Sequence, residues 1–263
     1  MTALDQLMAQ VRKENRAALI GYVPAGFPSR SGVRKIIDAF VAGGVDAIEI
    51  GFPYSDPVMD GPTIQAASVQ ALAHGTSASD VIADVTYAAS KVPSVVMSYW
   101  NPIERFGVAH FAQALTRAGA SGAITPDLTI EESEVWEREM KSLNTIYVVA
   151  PSTTDQRLSQ VTDKCSGFIY AASLMGVTGA RSDISLSASE LVSRIRRVSQ
   201  KPIAVGLGVS TREQARDVGA FADGVIVGSA FVKQILEARD EDEAAERVRV
   251  LAEQLSQGVR EGR

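Results

Sequence analysis

Residues 202–229 read PIAVGLGVSTREQARDVGAFADGVIVGS. Residues 202–205 form a short apolar run that stops at Gly206-Leu207-Gly208. Thr211, followed by Glu213 and Gln214, marks a helix start, and residues 224–227 form a second apolar run that stops at Gly228-Ser229. Run, capped helix and run make a βαβ unit with parallel strands buried on both faces. Working outward, the same run recurs at residues 19–23, 47–50, 94–99, 122–125, 145–150 and 167–171, so that eight strands are expected in all. The connections carry helical periodicity: Val33, Ile36, Ile37, Phe40 and Val41 follow three- and four-residue steps, with Ser29 before them, and Thr129 ahead of Glu131 and Glu132 marks another start.

Eight strands alternating with helices over 263 residues is the repeat of a (β/α)8 TIM barrel. A doubly wound sheet uses the same units, usually with fewer strands, and is the alternative architecture. No linker rich in Pro, Gly or Ser divides the chain, so one domain over residues 1–263 is expected. Residues 1–15 read as an extra N-terminal helix placed to cover the barrel bottom. Residues 240–263 read as a last helix, with Val248, Leu251 and Leu255 on one face.

Composition narrows the function. The chain is 46% hydrophobic and 22% charged, with 26 basic against 31 acidic residues and a net charge of -5. Without a basic stripe, nucleic-acid binding has little electrostatic support. The one cysteine, Cys165, excludes an internal disulfide framework and a multi-cysteine zinc site, and reads as a small core residue. His74 and His110 stand in no metal-binding spacing and read as surface residues. The start of the chain is no secretory signal and no apolar run is long enough to cross a bilayer, so a cytoplasmic location is expected.

Active sites of such barrels sit at the C-terminal ends of the strands. The second strand reads Ala47-Ile48-Glu49-Ile50-Gly51. Alternation sets Glu49 opposite the two isoleucines, so it points into the barrel mouth if they face the helices. A carboxylate there is costly to bury, which marks Glu49 as an acid/base candidate; a structural Glu bonded to a neighbouring strand is the plainer reading. The loop that follows, from Pro53 to Pro62, is long and carries Asp56 and Asp60 among three prolines and a glycine. Each aspartate alone reads equally as a turn or cap. Pro62 suits a first helical position. Gly176-Val177-Thr178-Gly179, Gly206-Leu207-Gly208 and Gly228-Ser229 end the last three strands, where open backbone amides make a phosphate site. A dinucleotide-binding reading of Gly206-Leu207-Gly208 fails, because no third glycine follows in place. Tyr99-Trp100-Asn101-Pro102 closes the third strand as a pocket wall or as packing.

The stretch from Glu49 through Pro57, with Asp60-Gly61-Pro62, closely resembles the signature of the tryptophan synthase alpha subunit family. Tyr22, Gly176–Gly179 and Gly228-Ser229-Ala230 match its other motifs, and the likeness runs from about Leu4 to Leu255. The resemblance implies a (β/α)8 barrel that cleaves indole-3-glycerol phosphate to indole and glyceraldehyde 3-phosphate without a cofactor of its own. It implies Glu49 as general acid/base and Asp60 as the carboxylate that holds the indole N–H. Tyr170 and Thr178 match supporting positions, and Gly179, Gly208, Gly228 and Ser229 match the phosphate cradle. Tyr22, Ile64 and Leu207 match the apolar slot for the indole ring. The family pairs with a pyridoxal-phosphate-dependent beta subunit in an alpha-beta-beta-alpha assembly, to which the indole is passed. This chain departs from the family at Pro24-Ala25-Gly26-Phe27-Pro28, where Thr-Ala-Gly-Asp-Pro is usual, and at Leu174-Met175, where an arginine commonly precedes the glycine. These departures bear on loop closure and on signalling to the partner. A non-catalytic barrel that only activates a partner is the contrasting class, and intact Glu49 and Asp60 speak against it. A phosphoribosyl isomerase or epimerase of similar fold would need a different acid/base pair or a histidine metal set.

Overall fold

The computed structural model describes residues 1–172 and 181–262. Among them the sheet has nine parallel strand segments: β1 (Ala18–Pro24), β2 (Ala47–Gly51), β3 (Ser94–Met97), β4 (Gly122–Ile124), β5 (Asn144–Ile146), β6 (Val148–Val149), β7 (Ile169–Ala172), β8 (Ile203–Gly206) and β9 (Gly224–Val227). Their order is β5-β4-β3-β2-β1-β9-β8-β7-β6. The two end segments, β5 and β6, are consecutive in the chain and parted only at Tyr147. They are the two halves of the expected fifth strand, so the sheet closes into a barrel. Backbone bonds run across the break on both sides, from Thr125 N to Ile146 O (3.4 Å) and from Tyr170 N to Tyr147 O (3.2 Å). The doubly wound alternative is thereby excluded.

The core has two layers. Ile48 and Ile50 belong to the layer between strands and helices, with Ile36, Ile37 and Phe40. Ala47, Ile20, Val95, Ile124, Ile146, Ala204 and Ile226 fill the barrel interior. Helix α1 (Ala3–Lys13) plugs the bottom: Leu4, Met8 and Val11, one stripe at helical spacing, join the interior layer and are fully buried. Burying each such side chain is worth roughly 1.5–3 kcal/mol. A capping box between Thr2 and Asp5 starts this helix. Arg12 then staples it to the barrel by two bonds to Asp223, at 3.0 and 2.8 Å. Arg196 reaches the same carboxylate, which also accepts the Ile203 amide. Burial alone would raise the Asp223 pKa, but the two guanidiniums and the amide outweigh it and hold it below the usual carboxylate range.

Two sequence expectations need correction. The helix expected after Thr129 begins only at Glu134, because residues 126–132 form turns instead. The third strand stops at Met97, since Trp100 already opens a short helix (Trp100–Phe106) whose first amide is capped by the Asp127 carboxylate at 2.9 and 3.1 Å. The departure at Phe27 is absorbed by the core, where its ring is 1% exposed. The loop carrying it is tied instead by the Gly26 amide to the Asp84 carboxylate at 3.0 Å. Leu174 and Met175 lie outside the described residues.

Candidate active site

Glu49 sits one layer above Ala47 on the inward face of β2, as alternation requires, and is 1% exposed. Its Oε2 has no hydrogen-bond partner among the described residues. Among the described residues, Oε2 shows no bond to a neighbouring strand of the kind the plainer reading calls for. Burial, and then the nearby charge of Asp60, push its pKa up to about 8. At neutral pH Glu49 therefore carries its proton and can act as an acid.

Asp60 arrives from the loop between β2 and the helix Pro62–Ala73, where Gly61 is the N-cap and Pro62 the first residue. The loop folds on itself. The Asp60 amide donates to Pro57 O at 3.0 Å, and Gln65 Nε2 donates to Asp60 O at 2.8 Å. Tyr99 pins it from the barrel side: its hydroxyl accepts the Met59 amide at 2.9 Å and lies near enough to the Asp60 carboxylate to favour its charged form. Burial raises Asp60 to about 6, and the Tyr99 hydroxyl restrains that rise. Tyr99 thus holds the Asp60 loop, a contact that sequence reasoning left undecided between wall and packing. The available signal was its place just past a strand end at the barrel mouth. Asp56, the other aspartate of the loop, is exposed.

The tyrosines expected at the mouth are there. Tyr22 pairs in register with Glu49, and a Cβ on Gly51 would meet the Tyr22 hydroxyl at 2.3 Å. Only glycine at the end of β2 leaves room for that phenol. Tyr170, on β7, uses Gly206 in the same way, with its hydroxyl 2.6 Å from where a Cβ would stand. Burial first, and then Asp60 and Glu49, raise both phenols well above the ordinary tyrosine value, so both stay protonated. Ile64 and Leu207 are half-buried and pack on the apolar cluster that includes Tyr22.

The proposed phosphate cradle lies at neighbouring strand ends. β8 pairs with β9, which pairs with β1. Gly208 has φ +78, a left-handed conformation that favours glycine, and Gly228 caps the helix Ser229–Leu236. The first-turn amides of that helix are the donors an anion would use. Ser229, its first residue, is exposed. Thr178 and Gly179 lie outside the described residues. The two histidines are exposed as expected, and Cys165 is buried.

Comparison with known proteins agrees with this geometry. The family model for the tryptophan synthase alpha chain matches residues 8–260. The tryptophan synthase alpha chain of Thermobifida fusca is 50% identical over 99% of this chain and 98% of its own length. That of Streptomyces coelicolor is 49% identical over 98% and 96%. Among solved structures, a tryptophan synthase chain from Mycobacterium tuberculosis superposes with a TM-score of 0.91 at 45% identity, covering 98% of each chain. An inward Glu49 facing a loop aspartate, glycines at the last strand ends and full-length likeness at this identity lead to one assignment: the chain belongs to the tryptophan synthase alpha chain family.

Proposed function

We propose that this chain cleaves indole-3-glycerol phosphate to indole and glyceraldehyde 3-phosphate, with Glu49 and Asp60 as its catalytic pair. The observation that carries the assignment is a buried carboxyl group at position 49, whose Oε2 has no partner among the described residues, electrostatically coupled to a second carboxylate at position 60. The two environments push the two groups apart, which is the pattern of an acid and a charge stabiliser.

The steps follow from the residues. Neutral Glu49 gives its proton to indole C3, which leaves an indolenine-like cation. Ionised Asp60 accepts a hydrogen bond from the indole N–H and offsets that charge. Glu49, now a carboxylate, takes the proton from the hydroxyl on the carbon attached to the ring. That oxygen forms the aldehyde C=O as the carbon–carbon bond breaks, and the bonding pair returns to the ring to restore aromatic indole. Glu49 ends protonated, ready for the next turnover. Tyr170 and Thr178 support the pair, while Gly179, Gly208, Gly228 and Ser229 hold the phosphate. Tyr22, Ile64 and Leu207 line the substrate. Proton transfers and charge stabilisation suffice, so no cofactor is assigned to this chain.

The partner is a tryptophan synthase beta subunit that carries pyridoxal phosphate and receives the indole, in an alpha-beta-beta-alpha assembly in the cytoplasm. An apolar groove of about 380 Å³ beside the Asp60 loop supports this reading; Phe52, Pro53, Tyr54, Pro102 and Phe106 line it. The test is indole formation from indole-3-glycerol phosphate by the purified chain. Glu49→Gln should keep the fold and lose at least about 10²-fold in rate, the scale of a lost acid/base group. Asp60→Asn should be severely impaired as well, because an amide carries no charge. Parent-like cleavage by Glu49→Gln would remove the assignment.

A further inference from the structure

Tyr22 does more than an apolar slot requires. Its ring lies along the cradle side, where a Cβ on Gly228 would stand 3.3 Å from Tyr22 Cδ1. Its hydroxyl lies on the opposite side, over Gly51 at the end of the Glu49 strand. One side chain thus spans from the glycine assigned to the phosphate to the carboxylates assigned to the chemistry. Any substrate with its phosphate at Gly228 and its reacting carbon at Glu49 must lay the intervening chain along this ring. The indole occupies the Asp60 side of the reacting carbon, and the glycerol carbons occupy the phosphate side. The hydroxyl is largely out of solvent, since Tyr22 is 7% exposed. A buried phenol is worth its desolvation only when it has a polar partner.

We propose that the Tyr22 hydroxyl is a specificity contact for the hydroxylated glycerol chain, hydrogen-bonding a glycerol oxygen of the substrate beside Glu49. This rests on the assignment of Glu49, Asp60 and the cradle made above. Burial, and then the nearby carboxylates, keep the phenol protonated, so it offers one donor and one acceptor to the substrate. Phenylalanine in the same place would fill the same volume and offer neither.

The experiment compares the parent with Tyr22→Phe on two ligands: indole-3-glycerol phosphate and indole-3-propanol phosphate, which lacks both chain hydroxyls. Dissociation constants for the propanol analogue come from calorimetry, and kcat/KM for the substrate from indole release. Tyr22→Phe should lower kcat/KM about 2- to 13-fold, the range of one neutral hydrogen bond, and leave the analogue's affinity within about twofold. Equal losses on both ligands would make Tyr22 a wall of the slot and overturn the inference, and so would no loss on either. A parent that binds neither ligand would instead refute the underlying functional assignment, which separates the two failures.

Discussion

At the scale of the residue, the site is a pair of carboxyl groups whose surroundings set their charge. The proposed mechanism requires Asp60 ionised and Glu49 protonated at the start of the cycle. Asp60 raised to about 6 gives an acid limb, because below that pH the indole N–H loses its anionic partner. Glu49 raised to about 8 gives an alkaline limb, because above that pH no proton is available for indole C3. A plot of kcat/KM against pH should therefore be bell-shaped, with limbs near these two values. A flat profile between pH 5 and 9 would contradict the assignment of charge states. Tyr99 offers a sharper check. Its hydroxyl lies close to Asp60 and favours the carboxylate. Tyr99→Phe removes that hydroxyl, which must raise the Asp60 pKa and carry the acid limb to higher pH. The same change also frees the Met59 amide from its partner and loosens the loop. An acid limb that stayed in place, or moved to lower pH, would show that the phenol does not act on Asp60.

At the scale of the element, strand ends carry the glycines that the site needs, and each glycine is there for its own reason. Gly208 has φ +78, so a valine there is strained by about 1–2 kcal/mol whatever it touches, and it also blocks the anion. Gly228 has φ -119, a conformation open to other residues, so its burden falls on binding. Gly208→Val should thus lower Tm and raise KM, whereas Gly228→Val should raise KM mainly, through crowding at the cradle and against Tyr22. Sulfate should compete weakly with substrate in the parent and less in either variant. If both variants kept the parent KM, the phosphate would have to sit elsewhere. At the other end of the barrel, α1 is held by Arg12 on buried Asp223. Arg12→Ala removes one of the two guanidiniums that hold that carboxylate. It should cost about 1–3 kcal/mol, seen in urea melts, since Arg12 is itself a third exposed. An unchanged midpoint would mean the staple contributes nothing. The elements were largely legible in advance because parallel strands buried on both faces read as apolar runs. Glu49 stood out because alternation sets a charge among isoleucines. What escaped were features set by distant partners. The break at Tyr147 lies inside an unbroken apolar run, and only the closure of the barrel places it. Trp100 starts a helix because Asp127, 27 residues on, caps its amide. Tyr99 became readable only when the Asp60 loop folded across it.

At the scale of the whole molecule, the barrel is polarised: its bottom is closed by α1, and its top carries the chemistry together with unspent apolar surface. Val58 is 73% exposed and Met59 49%, both in the loop that delivers Asp60. Exposed apolar side chains on a proline-stiffened loop suit a surface that another protein covers. Because Asp60 shares this loop, a partner that orders the loop also orders the carboxylate. The alpha chain by itself should then be a slow, monomeric enzyme, and the cognate beta subunit should raise its rate of indole formation at least about tenfold, as expected when a catalytic group is held in productive geometry. Val58→Glu separates docking from chemistry, since its side chain is 73% exposed and is assigned no role toward substrate. That variant should cleave at the lone parent's rate, fail to co-elute with the beta subunit on sizing, and gain little from its addition. Burying an unpaired carboxylate in an apolar contact costs several kcal/mol, far more than one rim contact returns. If Val58→Glu still co-eluted and was still stimulated like the parent, the Asp60 loop would not be the docking surface. If the parent itself neither co-eluted nor sped up, coupling between partner and catalytic loop would have to be abandoned.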